Sequence, residues 1–176
     1  PPRQRQPLPF IANLGAVPVV ALGLGPIAGL GAARLVASHY SLMVRGLSQM
    51  FTAGPPVVAA AGEKVTADQL GGAELHASTG SIDDVVDSEA EAFARARRFL
   101  SYLPGRAGAQ PVRVPCDDPP DRAEPWLDAV IPRDRRWPYE IRPILDAVLD
   151  RGSLFEIGRA WGRSVVRCKP TSCTPA

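Results

Sequence analysis

The side chains in this sequence that could do chemistry are few and dispersed. His76 invites a general-base reading, set against that of a buried or interface histidine; His39 stands at a helix end, where a polar side chain is ordinary. The cysteines are Cys116, Cys168 and Cys173. An odd count without a regular framework argues against a disulfide scaffold. The C-x4-C pair at Cys168 and Cys173 lacks a second pair, and both histidines are remote from it, so no metal site is expected. Reduced thiols in a cytoplasmic protein are the simplest reading. The stretch CDDPPDR, Cys116–Arg122, looks like a cation loop, but carboxylates between prolines are more often solvated turn formers. RARR (Arg95–Arg98) and RDRR (Arg133–Arg136) read as solvated faces rather than phosphate clamps. RWPYE, Arg136–Glu140, offers aromatics and charge for an interface or for packing alike.

What remains is a stretch whose chemistry would be that of the backbone. VPVVALGLGPIAGLGAARLVASHYSLMV, Val17–Val44, holds a glycine loop with no catalytic side chain. It could be a hydrophobic anchor, an ordinary core turn or a site made of backbone amides. PPRQRQ ahead of an uncharged run from Phe10 to Ala33 has the outline of a signal peptide or membrane span. Pro18, Pro26 and five glycines between positions 15 and 31 oppose it, because interior glycine costs a helix about 1 kcal/mol and interior proline about 3 kcal/mol against alanine. The pattern suits a strand better.

The elements that would position this loop can be parsed. Val17–Leu22 is apolar and β-branched without alternation, which suits a strand covered on both faces. GLGPIAGLG is then a turn, Ala32 to Ser38 a helix and Tyr40–Val44 the next strand, an α/β unit. Gly54–Pro56 marks a turn before a short helix. Thr66 is a candidate N-cap with Gln69 in the capping-box position, and Gly71 and Gly72 end that helix. The longest helical pattern runs from Ser81, a candidate cap, to Leu103. It has acids first, arginines later and a stripe of Ile82, Val85, Val86, Phe93, Ala96, Leu100 and Leu103. Pro104 ends it. Six prolines within Pro104–Pro125 mark a linker. Beyond it come a short turn at LDAVIP, a helix in YEIRPILDAVLDRG that tolerates Pro143 only near its first turn, and a strand at Ser153–Ile157.

Composition bounds the class. The chain has 176 residues, with 45% apolar and 22% charged residues, as in globular proteins. Nineteen prolines and sixteen glycines demand many breaks. A formal charge of +2 gives no case for nucleic acid, and the proline and glycine pattern gives none for a membrane.

The motifs GPIAGLGA, SLMV…MFTAGPPVV and GEKVTADQLGGAELH, followed by LDAVIP, YEIRPILDAVLDRGSLFEI and WGRSVV, together resemble the carboxyltransferase (β) subunit of biotin-dependent acyl-CoA carboxylases, the propionyl-, acetyl- and methylcrotonyl-CoA carboxylase group. The likeness runs from about Ala16 to Val166, in order and in spacing. It implies an α/β, crotonase-like fold of ββα units, with the chain an internal fragment. Residues 1–103 would end the first carboxyltransferase half, 104–125 would be a proline-rich linker, and 126–176 would start the second half with an atypical tail. PPRQRQ and RCKPTSCTPA look foreign to the family, as a frameshift or rearranged reading frame would produce.

The resemblance also implies a chemistry. Carboxyl transfer from carboxybiotin to an acyl-CoA passes through a thioester enolate, whose oxygen backbone amides at a helix mouth can hold. Gly29 and Leu30 would supply those amides, Gly31 the clearance, and Gly25, Pro26 and Ala28 further substrate contacts. Many members have adjacent glycines where this chain reads Gly29-Leu30-Gly31. No protein base is required, since the departing carboxyl leaves a biotin nitrogen able to take the α-proton. The implied partners are a biotin carboxylase or biotin carrier subunit, other β subunits in a homo-oligomer, and acyl-CoA, with weak or no activity for the chain alone. Alternatives are a non-catalytic assembly fragment and a biotin-independent CoA-ester decarboxylase of the crotonase type. An incomplete sheet would leave an open edge, with VPVVAL as the segment exposed.

Overall fold

The structure, a computed structural model, describes residues 9–110, 113–134, 136–162, 167–169 and 173–175. PPRQRQ and most of WGRSVV lie outside them, as do the side chains of Cys168 and Cys173. The described residues form two compact units, one of residues 9–100 and 158–162, the other of residues 101–157, 167–169 and 173–175.

The first unit opens with helix α1 (Pro9–Leu14) and then steps through strand pairs: β1 (Val20–Gly23), β2 (Pro26–Ala28), helix α2 (Leu30–Val36), β3 (Tyr40–Val44) and β4 (Gln49–Phe51). Helices α3 (Pro55–Ala60), α4 (Ala67–Gly71) and α5 (Ala73–Thr79) lead to β5 (Asp84–Val86) and helix α6 (Glu89–Ser101). Strands β1, β3 and β5 make one parallel sheet with β3 in the middle, in the register Val20↔Tyr40 and Leu42↔Asp84. Strands β2 and β4 pair separately, Ile27 opposite Met50. The first two turns of chain thus each add one strand to each sheet, and β5 extends the first sheet alone. All five residues of β3 are buried, as its central, apolar sequence requires.

Leu35, Met43, Met50, Ala73, Ala77 and Ile82 form the core, with Ala21, Ile27, Ala32 and Val85 packed on it. The buried Ser48 Oγ accepts from Val44 N–H at 3.0 Å and donates to Gly23 O, locking the end of β1 to the turn after β3. Gly71 is required by close approach: a Cβ there would stand 2.2 Å from Met50 O. The capping box at Thr66 and Gln69 forms as expected, with hydrogen bonds of 3.0 and 3.2 Å.

Four expectations change. GLGPIAGLG is not all turn, because Pro26–Ala28 pairs with Gln49–Phe51. Strand β1 is not covered on both faces: its first three residues are half-buried, and among the described residues it pairs with β3 alone. Val17 and Pro18 before it are exposed, so the exposure expected of VPVVAL holds for its first two residues. Ser81–Leu103 is not one helix. The β-branched Val85 and Val86 join β3 instead, and Ser88 rather than Ser81 receives an N–H of the helix, that of Glu91 at 3.2 Å. The helix buries Ala92, Ala96 and Phe99, while Phe93 and Leu100 face outward.

The second unit contains β6 (Val114–Cys116), α7 (Leu127–Val130), α8 (Ile141–Val148), β7 (Phe155–Ile157), β8 (Arg167–Lys169) and β9 (Cys173–Pro175). Strand β6 pairs in parallel with β9, and β7 pairs antiparallel with β8. Pro143 falls in the first turn of α8, where a missing N–H costs nothing. Tyr102 donates to Ser153 O at 2.9 Å and packs on Phe155.

Candidate functional site

Gly25 lies in the bend after β1, Pro26 and Ala28 are exposed on β2, and Gly29 leads into α2. Gly29 has φ 60° and ψ −126°, a conformation closed to residues with a Cβ, and open space where a Cβ would stand. The chain therefore reverses sharply between β2 and α2. Ala33 N–H donates to Gly29 O at 3.1 Å, the first bond of the helix. The N–H groups of Gly29, Leu30, Gly31 and Ala32 thus precede the helical ladder, and no side chain caps them. Leu30 is 53% exposed. A Cβ on Gly31 would meet Ile27 Cγ2 at 3.1 Å, so this glycine serves the packing of α2 on β2.

Beside the turn opens a cavity of about 350 Å³. Gly29, Ala32, Ala33 and Val36 form one wall, and Met50, Phe51, Thr52 and Ala53 the other. Leu70 and His76 complete it. The half-buried His76 donates from Nε2 to Met50 O at 2.9 Å, fastening α5 to β4. His39 Nδ1 accepts from Val19 N–H at 3.0 Å, outside this cavity. The sequence pointed to the glycines but not to Met50–Ala53. They stood in the sequence only as the start of the motif MFTAGPPVV, with no site role attached.

A second cavity, about 480 Å³, is lined by Arg45, Glu74, Asp83, Asp84, Glu91, Arg95 and Arg159 among others. Two of its arginines are paired: Arg45 with Glu74 and Asp87, and Arg95 with Asp84. Asp84 Oδ2 accepts from Tyr40 Oη and Arg95 Nη2, each at 2.5 Å. Burial raises the Asp84 carboxyl above its ordinary pKa, against the hydrogen bonds from Tyr40 and Arg95 that lower it. Burial, then the Asp84 charge, raises the Tyr40 phenol. Arg95 is therefore an inward-facing ion-pair partner, not a solvated member of RARR. Trp137 and Tyr139 of RWPYE are exposed.

In the second unit CDDPPDR is a solvated turn at Asp117, Pro119, Pro120 and Asp121, as expected, but not at Asp118 and Arg122. Asp118 is 4% exposed and Arg122 14%. Arg122 Nη1 stands 3.1 Å from Asp118 Oδ2, and its Nη2 donates to Ala147 O and Leu149 O, each at 2.7 Å, at the end of α8. Cys116, Asp118 and Asp150 hold potential metal-binding atoms within 4.8 Å of one another. Arg122 and Arg151 already supply positive charge to Asp118, and Arg122 clamps the end of α8 to it.

Comparison with known proteins gives the family. A carboxyl transferase domain model matches residues 11–168. The chain belongs to the carboxyl transferase domain family. It is 37% identical over 154 residues to the carboxyltransferase subunit of propionyl-CoA carboxylase from Haloferax mediterranei, a match covering 86% of this chain and 30% of that protein. The alpha subunit of methylmalonyl-CoA decarboxylase from Veillonella parvula is 29% identical over 156 residues, 88% of this chain and 31% of its own length. Among solved structures, the transcarboxylase 12S hexamer with hydrolysed methylmalonyl-coenzyme A bound matches with a TM-score of 0.82 and 30% identity, over 92% of this chain and 33% of that one. The fold is α/β and crotonase-like, as the resemblance implied. The chain spans about a third of the length of these relatives. No helix among the described residues is long and apolar enough to cross a membrane.

Proposed function

We propose that this chain is part of the carboxyltransferase component of a cytoplasmic acyl-CoA carboxylase. Residues 1–103 would belong to the first crotonase-like half, 104–125 to a linker and 126–176 to the second half. The observation that carries the reading is the Gly29 turn, with uncapped amides and an apolar cavity at its side. The thioester oxygen of an acyl-CoA sits at the N–H groups of Gly29 and Leu30. When the α-proton leaves, negative charge gathers on that oxygen and the two amides hold it. They are preorganised by the turn, and the dipole of α2 has the favourable sign. Loss of one such donor costs about 3 kcal/mol of transition-state stabilisation. Gly25, Pro26 and Ala28 border the approach of the substrate. His76 is committed to Met50 O and is not assigned the proton.

When bound on a partner subunit, carboxybiotin would supply the carboxyl group and, once that has left, a ring nitrogen able to take the α-proton. The described residues assigned here serve the thioester side of the reaction. Association with a biotin carboxylase or carrier subunit and with other β subunits belongs to the same reading.

The test is transfer of labelled carboxyl from methylmalonyl-CoA or malonyl-CoA to free biotin. Label in biotin, weaker for the chain alone than with the remaining segments of such a subunit added, supports the reading. No transfer in either case overturns it. A second reading, decarboxylation of a CoA ester, draws on the likeness to methylmalonyl-CoA decarboxylase alpha, with biotin independence as its further supposition. Release of labelled CO2 without biotin would favour it. Binding to an intact β subunit with neither reaction would leave a non-catalytic assembly role.

A further inference from the structure

The second unit holds a group of side chains that the acyl-CoA reading does not use. Cys116 ends β6, Asp118 stands two residues on, and Asp150 follows α8. Each offers a ligand atom, the three atoms lie within 4.8 Å of one another, and all three residues border one cavity. Asp118 N–H donates to Cys116 Sγ at 3.4 Å, which holds the sulfur beside the aspartate. The side chain of Asp118 is 4% exposed. Its Oδ2 is taken: Arg122 Nη1 stands 3.1 Å away, and Arg151 N–H donates to it at 3.0 Å. Its Oδ1 is buried and has no hydrogen-bond partner among the described residues. The Arg151 guanidinium stands 3.5 Å from that oxygen, beyond hydrogen-bonding range. The same side chain is 71% exposed, so it can turn out into water. A buried carboxylate oxygen that no donor reaches is costly, and a cation seated between Asp118, Cys116 and Asp150 removes that cost. The surroundings favour positive charge. From Cys116 to Glu124 the chain carries Asp117, Asp118, Asp121 and Glu124 against Arg122 alone, and Asp150 and Arg151 add one charge of each sign.

We propose that Cys116, Asp118 and Asp150 form a zinc site, in which one divalent, borderline-soft cation ties the end of β6 to the loop after α8. The donor set chooses the metal: a sulfur with two carboxylates suits zinc, whereas calcium and magnesium take oxygen ligands. Bond lengths of about 2.3 Å to sulfur and about 2.1 Å to oxygen put tetrahedral donors about 3.5 Å apart. The widest pair of donors therefore closes by about 1 Å on the metal, and water takes the fourth position. Binding breaks the Cys116 S–H bond, the proton passes to solvent and the thiolate sulfur binds the cation, so affinity falls as pH falls. The Arg151 guanidinium gives up Oδ1 to the metal, while Arg122 stays on Oδ2 and on the carbonyls at the end of α8. The site is structural. It adds to the stability of the second unit and takes no part in the thioester chemistry above.

The test is titration of the full chain with Zn2+ and with Cd2+, in a Cys168→Ser/Cys173→Ser background that leaves Cys116 as the one thiol. One Zn2+ per chain binds with a Kd of about 10 μM or below near neutral pH and raises the unfolding midpoint of the second unit. Cd2+ gives a thiolate-to-metal charge-transfer band in the ultraviolet. Cys116→Ser abolishes the band, and Cys116→Ser and Asp150→Asn each weaken Zn2+ binding at least about tenfold. Arg151→Gln tightens it several-fold, because the charge competing for Oδ1 is gone. No saturable Zn2+ binding below about 100 μM, or no charge-transfer band, overturns the site. So does a Zn2+ affinity unchanged by Cys116→Ser or by Asp150→Asn, or equal binding of Mg2+. Should either variant fail to fold, the band in the single-thiol background decides by itself, since Cys116 alone can supply it.

Discussion

The turn at Gly25–Gly31 holds no ionisable side chain, whereas the loop at Cys116–Arg122 holds three aspartates, an arginine and a cysteine. By side-chain chemistry the second is the stronger candidate site. The structure sets the two regions in different surroundings. In the loop, Asp118 and Arg122 neutralise each other out of solvent, and the arginine closes the carbonyl end of α8. In the turn, the absence of side chains leaves amides uncapped beside an apolar cavity. Reactive groups become structural when the fold pairs them with one another, as it pairs Asp118 with Arg122. Backbone groups become candidates for chemistry when the fold leaves them unconsumed.

The largest effect expected from breaking this contrast is in the loop. Arg122→Ala strands a carboxylate that is 4% exposed and frees two carbonyls of α8. Removing one partner of a buried ion pair costs about 3–5 kcal/mol, and Arg151, 3.5 Å from Asp118, holds the loss to the lower part of that range. Denaturant unfolding followed by a probe in the second unit measures it. A loss below about 1 kcal/mol would return the loop to the class of solvated turns.

Next is Gly29→Ala. Space for the methyl is open, so any cost is conformational. Holding alanine at φ 60° should destabilise the first unit by about 1–3 kcal/mol, read from its unfolding midpoint, and weaken acyl-CoA binding as the turn relaxes. Unchanged stability would mean that the turn adopts another conformation at no cost, and the preorganised amides would lose their basis.

The Tyr40–Asp84–Arg95 cluster lies between these extremes, a buried charge only partly compensated. The folded-state pKa of Asp84 is raised, chiefly by burial, so the native state holds its proton more tightly than the unfolded chain does. Its contribution to stability is complete below the ordinary carboxyl value and is lost as pH rises through the raised one. Relative to Asp84→Asn, the wild type should therefore lose stability as pH climbs from about 4 toward neutrality. Urea unfolding of both proteins across that range checks the sign. A difference that grows with pH in favour of the wild type would mean that Arg95 outweighs burial.

What the sequence made legible follows the range of the forces involved. Tyr40–Val44 was readable because it is apolar, β-branched at its end and bounded by polar residues. The Thr66–Gln69 cap was readable because both partners lie within one turn. Strands β2 and β4 were not, since three residues carry no period and exist only through pairing with each other. Val85 and Val86 fitted the helical stripe locally and were claimed by β3 from across the sequence. The candidate site divides in the same way. Glycine spacing announced the turn, but the opposite wall, Met50–Ala53, is joined to it only by the stacking of successive strand pairs. Asp118 and Arg122 stood four residues apart in plain view; their burial depends on α8, 25 residues away.

The smallest expected effect sharpens the comparison from within the turn itself. Gly25 has no positive φ, and nothing lies within 4 Å of where a methyl group on it would stand; Gly29, four residues later, has the space but not the φ. Gly25→Ala should shift stability by no more than about 0.5 kcal/mol, with the shift toward greater stability because alanine restricts the unfolded chain. Acyl-CoA affinity then isolates its role. A fold left intact with binding weakened several-fold would mean that substrate passes close over Gly25, as assigned. Unchanged stability with unchanged binding would confine the functional part of the turn to Gly29 and the first amides of α2.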